Sequence, residues 1–141
     1  MSKLVTFDQA KKLKELGFEE ETSKEYRTPV VRIFEGGKAK FVEREPDVYD
    51  TGKHASFYGD VSYDNYIPAP FIHEALDWIR EEKGIPCSVH LEFEENNKEW
   101  FYYGEYGIKG DNRVHDTETF DTHPLAESAL LNSLLDYLSI K

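Results

Sequence analysis

The chain has 141 residues, the size of one ordinary domain, and its 17 Lys and Arg against 28 Asp and Glu give a formal net charge of −11. Such a charge repels phosphate backbones and anionic lipid faces, which argues against direct binding of nucleic acid or membrane and favours a basic protein partner. Cys87 is the only cysteine, so no intramolecular disulfide can form. The chain shows neither a secretion signal at its start nor an apolar run of ~20 residues, so we expect a single cytoplasmic domain over residues 1–141.

A first helix is predicted close to the start of the chain. Thr6 and Gln9 have the spacing of a capping box, in which each side chain accepts a backbone N–H of the first turn. Gly17 suits the left-handed position that ends a helix, with Phe18 folding back as in a Schellman motif. The apolar stripe between these signals consists of Phe7, Ala10, Leu13 and Leu16.

Two further helices are predicted by the same apolar spacing. One opens after Pro68-Ala69, with Pro70 in its first turn, and ends at Gly84. The other runs from about Pro124 to Leu138, with Thr122 or His123 as its cap.

The clearest strand begins at Cys87, because apolar and polar residues alternate from there to Glu94. Asn96-Asn97 can adopt the positive φ angles of a two-residue turn. That turn would pair Phe93 with Trp100 and Leu91 with Tyr102 on the core face. The predicted core comprises Leu13, Leu76, Ile79, Val89, Leu91, Phe93, Leu130 and Leu134.

Two other hairpins complete the predicted fold. Gly36-Gly37 marks the first. Its simple register mixes apolar and charged residues on both faces, which indicates a bulge or an edge position. Gly110-Asp111 marks the second, which leads to a final strand near Arg113–Phe120. The sequence therefore predicts an α+β fold with a single antiparallel sheet of four to six strands and three helices packed mainly on one face. The expected order is α-β-β-α-β-β-β-α.

The segment from Glu45 to Pro68 has no period and is predicted to be a long loop rich in aromatic and acidic residues. Loops longer than ~12–15 residues are uncommon and are often functional. Tyrosine is also a favoured anchor of protein interfaces, although large rings can equally fill a core. The predicted partner-binding residues are Tyr49, Phe57, Tyr58, Tyr63 and Tyr66.

One group of residues could hold a divalent metal. His115, Asp116, Asp121 and His123 place two imidazoles and two carboxylates within nine residues. Asp121 and His123 also stand where a helix favours a cap and an acidic first turn. We assign no metal, cofactor or catalytic residue, and we expect a protein without enzymatic activity.

Three stretches together carry a resemblance. They are Thr6–Phe18, Ile67–Pro70 leading into Glu74–Glu81, and the closing Leu125–Leu138 helix. The chain resembles a group of short uncharacterised proteins of phages and mobile elements of gut bacteria. In that group a capped "T-F-x-Q-A-x-x-L-x-x-L-G-F" helix precedes a proline-led "E-A-x-x-W-L-R-E" helix. The resemblance implies an accessory protein of a phage or integrated element, and no family activity.

The leading functional expectation is an accessory or interaction protein that binds a macromolecular partner through an acidic, aromatic surface. Two alternatives remain open: a small metal-dependent enzyme that uses His115, Asp116, Asp121 and His123, and an acidic decoy of nucleic acid that inhibits a host nucleic-acid-binding factor. The sequence specifies neither the partner nor the oligomeric state.

Overall fold

The structure, a computed structural model, describes residues 2–52 and 61–140. The chain divides into two units, Thr6–Pro70 and Met1–Val5 with Phe71–Lys141. The expectation of a single domain over residues 1–141 stays a prediction. The elements in chain order are α1 (Phe7–Glu15), β1 (Lys24–Glu35), β2 (Lys38–Glu43), β3 (Asp47–Asp50), β4 (Val61–Pro68), α2 (Ile72–Glu82), β5 (Cys87–Glu94), β6 (Glu99–Gly107), β7 (Val114–Asp116) and α3 (His123–Ser139).

The predicted α+β class is confirmed, but the single sheet is wrong. Among the residues that the structure describes, the strands form two antiparallel sheets, one of four strands and one of three. Between the strands of the described residues, each pairing in the first sheet involves β1, and the strands after α2 pair with one another. The helices are divided as well, because α1 contacts β4 whereas α3 contacts β5 and β6.

Strand β1 is the centre of the first sheet. Glu25 lies opposite both Tyr49 of β3 and Pro68 of β4, so these two strands occupy opposite edges of β1. Val30 likewise lies opposite Glu43 of β2 and Ser62 of β4. Strands β2 and β3 therefore follow one another along one edge, and β4 covers the other. The predicted edge position of β2 is confirmed, and its register with β1 is regular, without the alternative bulge.

Pro29 lies in the middle of this central strand, where a missing backbone N–H is normally not tolerated. Its carbonyl accepts the Arg44 N–H at 2.8 Å. The nitrogen and carbonyl of one strand residue point to the same edge, so the missing N–H of Pro29 faces the junction between β2 and β3. Arg44 follows the last residue of β2, so the missing N–H removes only the reciprocal bond to Arg44 at the end of the β1–β2 ladder.

Helix α1 has the predicted boundaries and caps. The Gln9 N–H donates to the Thr6 hydroxyl at 3.1 Å, and the Gln9 side chain accepts the Thr6 N–H at 2.9 Å. The Phe18 N–H donates to the Leu13 carbonyl at 2.9 Å, and Gly17 has a φ of 102°, which is a Schellman end. Phe7 packs edge-on against Tyr26 of β1 with ring centroids 5.5 Å apart, so α1 lies on the face that carries Tyr26.

The second sheet has the order β5-β6-β7. The predicted register is confirmed, since Phe93 lies opposite Trp100 and Leu91 opposite Tyr102. The turn differs from the prediction: residues 95–98 form a four-residue loop, and Lys98, not the asparagines, has the positive φ of 54°. Four-residue loops are most often built around a type I turn, whose two central residues have negative φ. The asparagines therefore need no positive φ, and only the last loop residue, Lys98, is left-handed.

The predicted core is right for the helices and wrong for the end of β5. Leu13, Leu76, Ile79, Leu130 and Leu134 are buried, whereas Val89 is half-buried. Leu91 and Phe93 are 50% and 44% exposed. Alternation sets the face of a side chain, but burial also needs an element that covers that face. Helix α3 begins at His123, whose ring contacts Tyr102, and β5 and β6 continue past that point.

Within the described part of the chain, no helix has the length and apolar character that crossing a bilayer requires.

Candidate binding surface

The centre of the candidate surface is Arg27, which is only 4% exposed. Its guanidinium carbon lies 5.1 Å from the ring centre of Tyr49 and 5.3 Å from that of Tyr66. Its Nε donates to the Glu25 carboxylate at 3.1 Å, and Nη2 donates to the Asp50 carbonyl at 3.3 Å. The charge is thus desolvated but fully engaged, as a buried arginine requires.

A β-bulge brings the tyrosines of β4 to the same face as Arg27. Tyr26 lies opposite Ile67, but Thr28 lies opposite Asp64, so β4 contains one extra residue at this point. Asn65, with a φ of 55°, is that residue. Side chains three positions apart normally lie on opposite faces of a strand. The bulge therefore places Tyr63 and Tyr66 together.

Tyr49 and Tyr63 pack against each other on this face. Their ring centroids lie 5.2 Å apart at an interplanar angle of 71°, an edge-to-face geometry that is favourable for aromatic pairs. Burial, together with the hydrogen bond to Tyr63, raises the pKa of the Tyr49 phenol. Both rings are half-buried, whereas Tyr66 is 52% exposed.

A groove of about 460 Å³ lies beside the exposed Tyr66 ring. The described residues that line it include four carboxylates and no Lys or Arg. We call the groove and the adjoining tyrosines the tyrosine–glutamate surface. The groove is lined by Glu19, Glu20, Glu21, Thr22, Glu25, Thr51, Tyr66 and Pro68.

Of the five predicted partner-binding residues, three lie on described strands and two lie outside the described residues. Tyr49, Tyr63 and Tyr66 lie on strands β3 and β4, not on a loop, so the long-loop prediction is wrong for residues 47–50 and 61–68. They share one face, as described above. Phe57 and Tyr58 lie outside the described residues.

Several residues of the surface were not predicted. The three consecutive glutamates Glu19–Glu21, directly after a helix end, were an available signal for an acidic rim. Glu25 and Arg27 are two apart, which puts them on one face of a strand, but only if the strand is predicted to begin before Pro29.

The residues of the predicted metal alternative are not assembled into a site. His115 and Asp116 are consecutive in β7 and so point to opposite faces. His115 contacts the Asp111 carboxylate at 3.2 Å, and His123 packs edge-on against Tyr102 at 5.8 Å. Across residues 2–52 and 61–140, no group of three or more His, Cys, Asp or Glu side chains is placed to hold a metal ion.

A serine, a histidine and a carboxylate do meet on the outer face of the second sheet. The His90 Nε2 lies 2.8 Å from the Ser88 hydroxyl and 2.7 Å from the Glu105 carboxylate. A catalytic triad uses the two ring nitrogens separately, one for the nucleophile and one for the acid. Both contacts here fall on the same nitrogen, so this arrangement is not a triad.

Comparison with known proteins finds no matching family model, no matching curated protein and no matching solved structure. The function has to be inferred from the residues themselves.

Proposed function

We propose that this protein is a non-enzymatic accessory protein of the cytoplasm, encoded by a phage or mobile element. It binds a basic or mixed-charge protein partner through the tyrosine–glutamate surface. The net charge of −11 attracts such a partner and repels nucleic acid and anionic membranes. The resemblance to phage accessory proteins supplies the expected context.

The observation that carries this proposal is the groove in which four glutamates stand beside an exposed tyrosine ring. Carboxylates form strong charge-assisted hydrogen bonds with Lys and Arg, and a tyrosine face attracts the same cations. Arg27 supports this reading, because a guanidinium of the chain itself already packs between Tyr49 and Tyr66 and pairs with Glu25. A partner's Arg or Lys would meet the outer side of the same groups.

Affinity capture from the native host, with mass spectrometry of the bound proteins, tests the proposal. We expect a basic protein to be enriched on the wild-type chain. It should be lost from Tyr66→Ala and from the combined Glu19→Gln, Glu20→Gln and Glu21→Gln variant. Glu19, Glu20 and Glu21 are exposed, so the triple variant should leave the folded state intact. Tyr66→Ala removes a ring that packs on Arg27, so its melting temperature is measured alongside the capture.

Matched controls separate the surface from general charge and aromatic content. Phe41→Ala removes a ring that is 67% exposed but lies outside the groove. Glu81→Gln with Glu82→Gln removes exposed charge from α2. Both should retain the partner. Equal capture by the groove variants and these controls would contradict the proposal.

Phe57 and Tyr58 stay predicted partner-binding residues. Replacing both by Ala should weaken the complex and leave the melting temperature nearly unchanged. Global unfolding of the double variant would instead assign these rings to the core.

A second candidate function is the acidic decoy of nucleic acid. The observation that favours it is a group of carboxylates on the outer face of the second sheet, which the strand register places together. They are Glu92, Glu94, Glu99, Glu105 and Asp116. A decoy would displace nucleic acid from the captured partner, and Glu94→Gln with Glu99→Gln would weaken that displacement. A partner that binds this protein and nucleic acid simultaneously would exclude the decoy.

No observation favours the metal-dependent enzyme, and we do not propose it.

A further inference from the structure

Strand β5 is the terminal strand of the second sheet, and its pairing with β6 fixes the direction of its peptide groups. The Gly107 N–H donates to the Pro86 carbonyl at 3.0 Å, so these two residues form a hydrogen-bonded pair. Hydrogen-bonded and non-hydrogen-bonded pairs alternate along antiparallel strands. Val89, Leu91 and Phe93 therefore belong to non-hydrogen-bonded pairs, and their N–H and C=O groups point away from β6.

The contacts of Tyr102 give the same result independently. Tyr102 lies opposite Leu91, and it exchanges backbone hydrogen bonds of 2.8 and 2.7 Å with Phe120 on its other side. The peptide groups of Tyr102 thus point away from β5, and those of Leu91 point to the outer edge. At the start of this edge the Arg80 guanidinium donates to the Cys87 carbonyl at 2.9 Å. In the described residues, the open part of the edge is Val89 to Phe93.

The residues with outward peptide groups also carry the exposed apolar side chains. Leu91 and Phe93 are 50% and 44% exposed, and Trp100, which lies opposite Phe93, is 60% exposed. The rings of Phe93 and Trp100 lie 5.1 Å apart. Unpaired peptide groups and an apolar strip in one register are what an added strand requires.

Among the described strands, the other edges are protected in the usual ways. Strand β2 carries Lys38 and Lys40, β3 and β7 have only four and three residues, and β4 contains the bulge at Asn65. Strand β5 has eight residues, a regular register with β6, and neither Lys, Arg nor Pro. Its charged residues are Glu92 and Glu94, which lie on the face opposite Leu91 and Phe93.

We propose that the open edge of β5 accepts an extended strand of a partner in which apolar and basic residues alternate. The apolar side chains would extend the strip of Leu91, Phe93 and Trp100, and the Lys or Arg side chains would lie beside Glu92 and Glu94. This charge complementarity argues against a second copy of the chain, because each copy carries a net charge of −11. The inference does not depend on the tyrosine–glutamate surface, which is formed by other strands.

A synthetic peptide of alternating Val and Lys, as long as β5 and blocked at both ends, is the probe. We expect salt-dependent binding by fluorescence anisotropy, with amide shifts at Val89, Leu91 and Phe93 in NMR spectra. N-methylation of the peptide at the residues that face β5 should weaken binding roughly tenfold or more, because it removes the donors of the new ladder. Replacing Lys by Glu in the peptide should abolish binding.

Leu91→Pro tests the edge from the protein side. The Leu91 N–H makes no bond to β6, so proline removes no existing ladder bond while it blocks an added strand. Leu91→Lys is a second blocking variant that keeps the backbone unchanged, and Leu125→Lys is the matched control, since Leu125 is also 50% exposed. We expect both Leu91 variants to bind the peptide more weakly than the wild type and the Leu125→Lys control to bind it as the wild type does. The circular dichroism spectra of all three variants should match that of the wild type.

The inference would be overturned if the Val-Lys peptide failed to bind. It would also be overturned if the N-methylated or Glu-containing peptide bound as tightly as the unmodified one, or if the Leu91 variants bound the peptide as tightly as the wild type. Self-association of the wild-type chain in sedimentation, abolished by Leu91→Pro, would identify a second copy as the occupant and would also overturn it.

Discussion

Gly104 of β6 faces Leu130 of α3 so closely that a Cβ at Gly104 would lie 2.7 Å from the Leu130 Cβ. Both residues are buried, and the helix packs directly on the strand at this point. Gly104→Ala should therefore destabilise the protein by about 1–3 kcal/mol, the usual cost of overpacking. Chemical denaturation measures the change.

Gly107→Ala is the control for this substitution. A Cβ at Gly107 would lie 3.3 Å from the Pro86 Cγ, a contact that a small shift can relieve. A loss of stability as large as that of Gly104→Ala would show that the effect comes from glycine replacement in a strand and not from helix contact.

Arg27→Lys should destabilise the protein by about 1–3 kcal/mol. Lysine lacks the planar guanidinium that packs on Tyr49 and Tyr66 while it donates to Glu25, and the buried charge would lose part of its compensation. Arg32→Lys is matched to it, because Arg32 lies on the same strand and packs 5.0 Å from the Phe34 ring, but is exposed. That control should cost less than about 0.5 kcal/mol, and equal costs for the two variants would refute the structural role of Arg27.

Asn65 sets the bulge that brings Tyr63 and Tyr66 to one face. Asn65→Val should cost about 1–2 kcal/mol, because its φ of 55° is unfavourable for a β-branched residue. Asn65→Gly should leave both stability and partner capture unchanged, since glycine adopts this conformation freely. Thermal unfolding distinguishes the two, and a stable Asn65→Val variant would mean that the bulge does not require a left-handed residue.

The Tyr103 phenol donates to the Glu92 carboxylate at 3.0 Å, and this bond is the main cause that raises the pKa of Tyr103 to about 12. The folded state thus holds this proton more tightly than the unfolded chain, in which the pKa is near 10.0. The resulting stabilisation is present below pH 10.0 and is lost as the pH rises towards about 12.

Ultraviolet difference titration of the wild type against Tyr103→Phe isolates this phenol. The wild type should show one ionisation that Tyr103→Phe lacks, with its midpoint near pH 12. Glu92→Gln should lower the pH of that midpoint. A midpoint near 10.0 in the wild type would contradict the hydrogen bond.

Local signals predicted the helices and the β5–β6 register well. The Thr6–Gln9 box and the Gly17–Phe18 end depend only on neighbouring backbone groups. The β5–β6 pairing depends on the centre of the turn, and two- and four-residue loops centred on Asn96-Asn97 give the same register. The exposure of Leu91 could not be predicted in this way, because it depends on where α3 begins and not on β5 itself.

The candidate surface was only partly predictable for a related reason. Tyr63 and Tyr66 are three positions apart, a spacing that normally places two side chains on opposite faces of a strand, so the bulge at Asn65 interrupts the alternation from which β4 could be predicted. The first half of β1 was not predicted because Pro29 follows it, and proline normally argues against a central strand. Composition did indicate the aromatic and acidic character of the surface, but the burial of Arg27 beneath the tyrosines depends on the pairing of three strands.

The most direct test of the tyrosine–glutamate surface is the association rate constant with the captured partner, measured at increasing ionic strength. Charges at the rim of an interface mainly set the on-rate, and salt screens them over ~8 Å at physiological ionic strength. We predict that the wild-type rate falls as salt rises and that the combined Glu19→Gln, Glu20→Gln and Glu21→Gln variant associates more slowly with a shallower salt dependence. The same rates and the same salt dependence in both proteins would show that the partner does not bind at this surface.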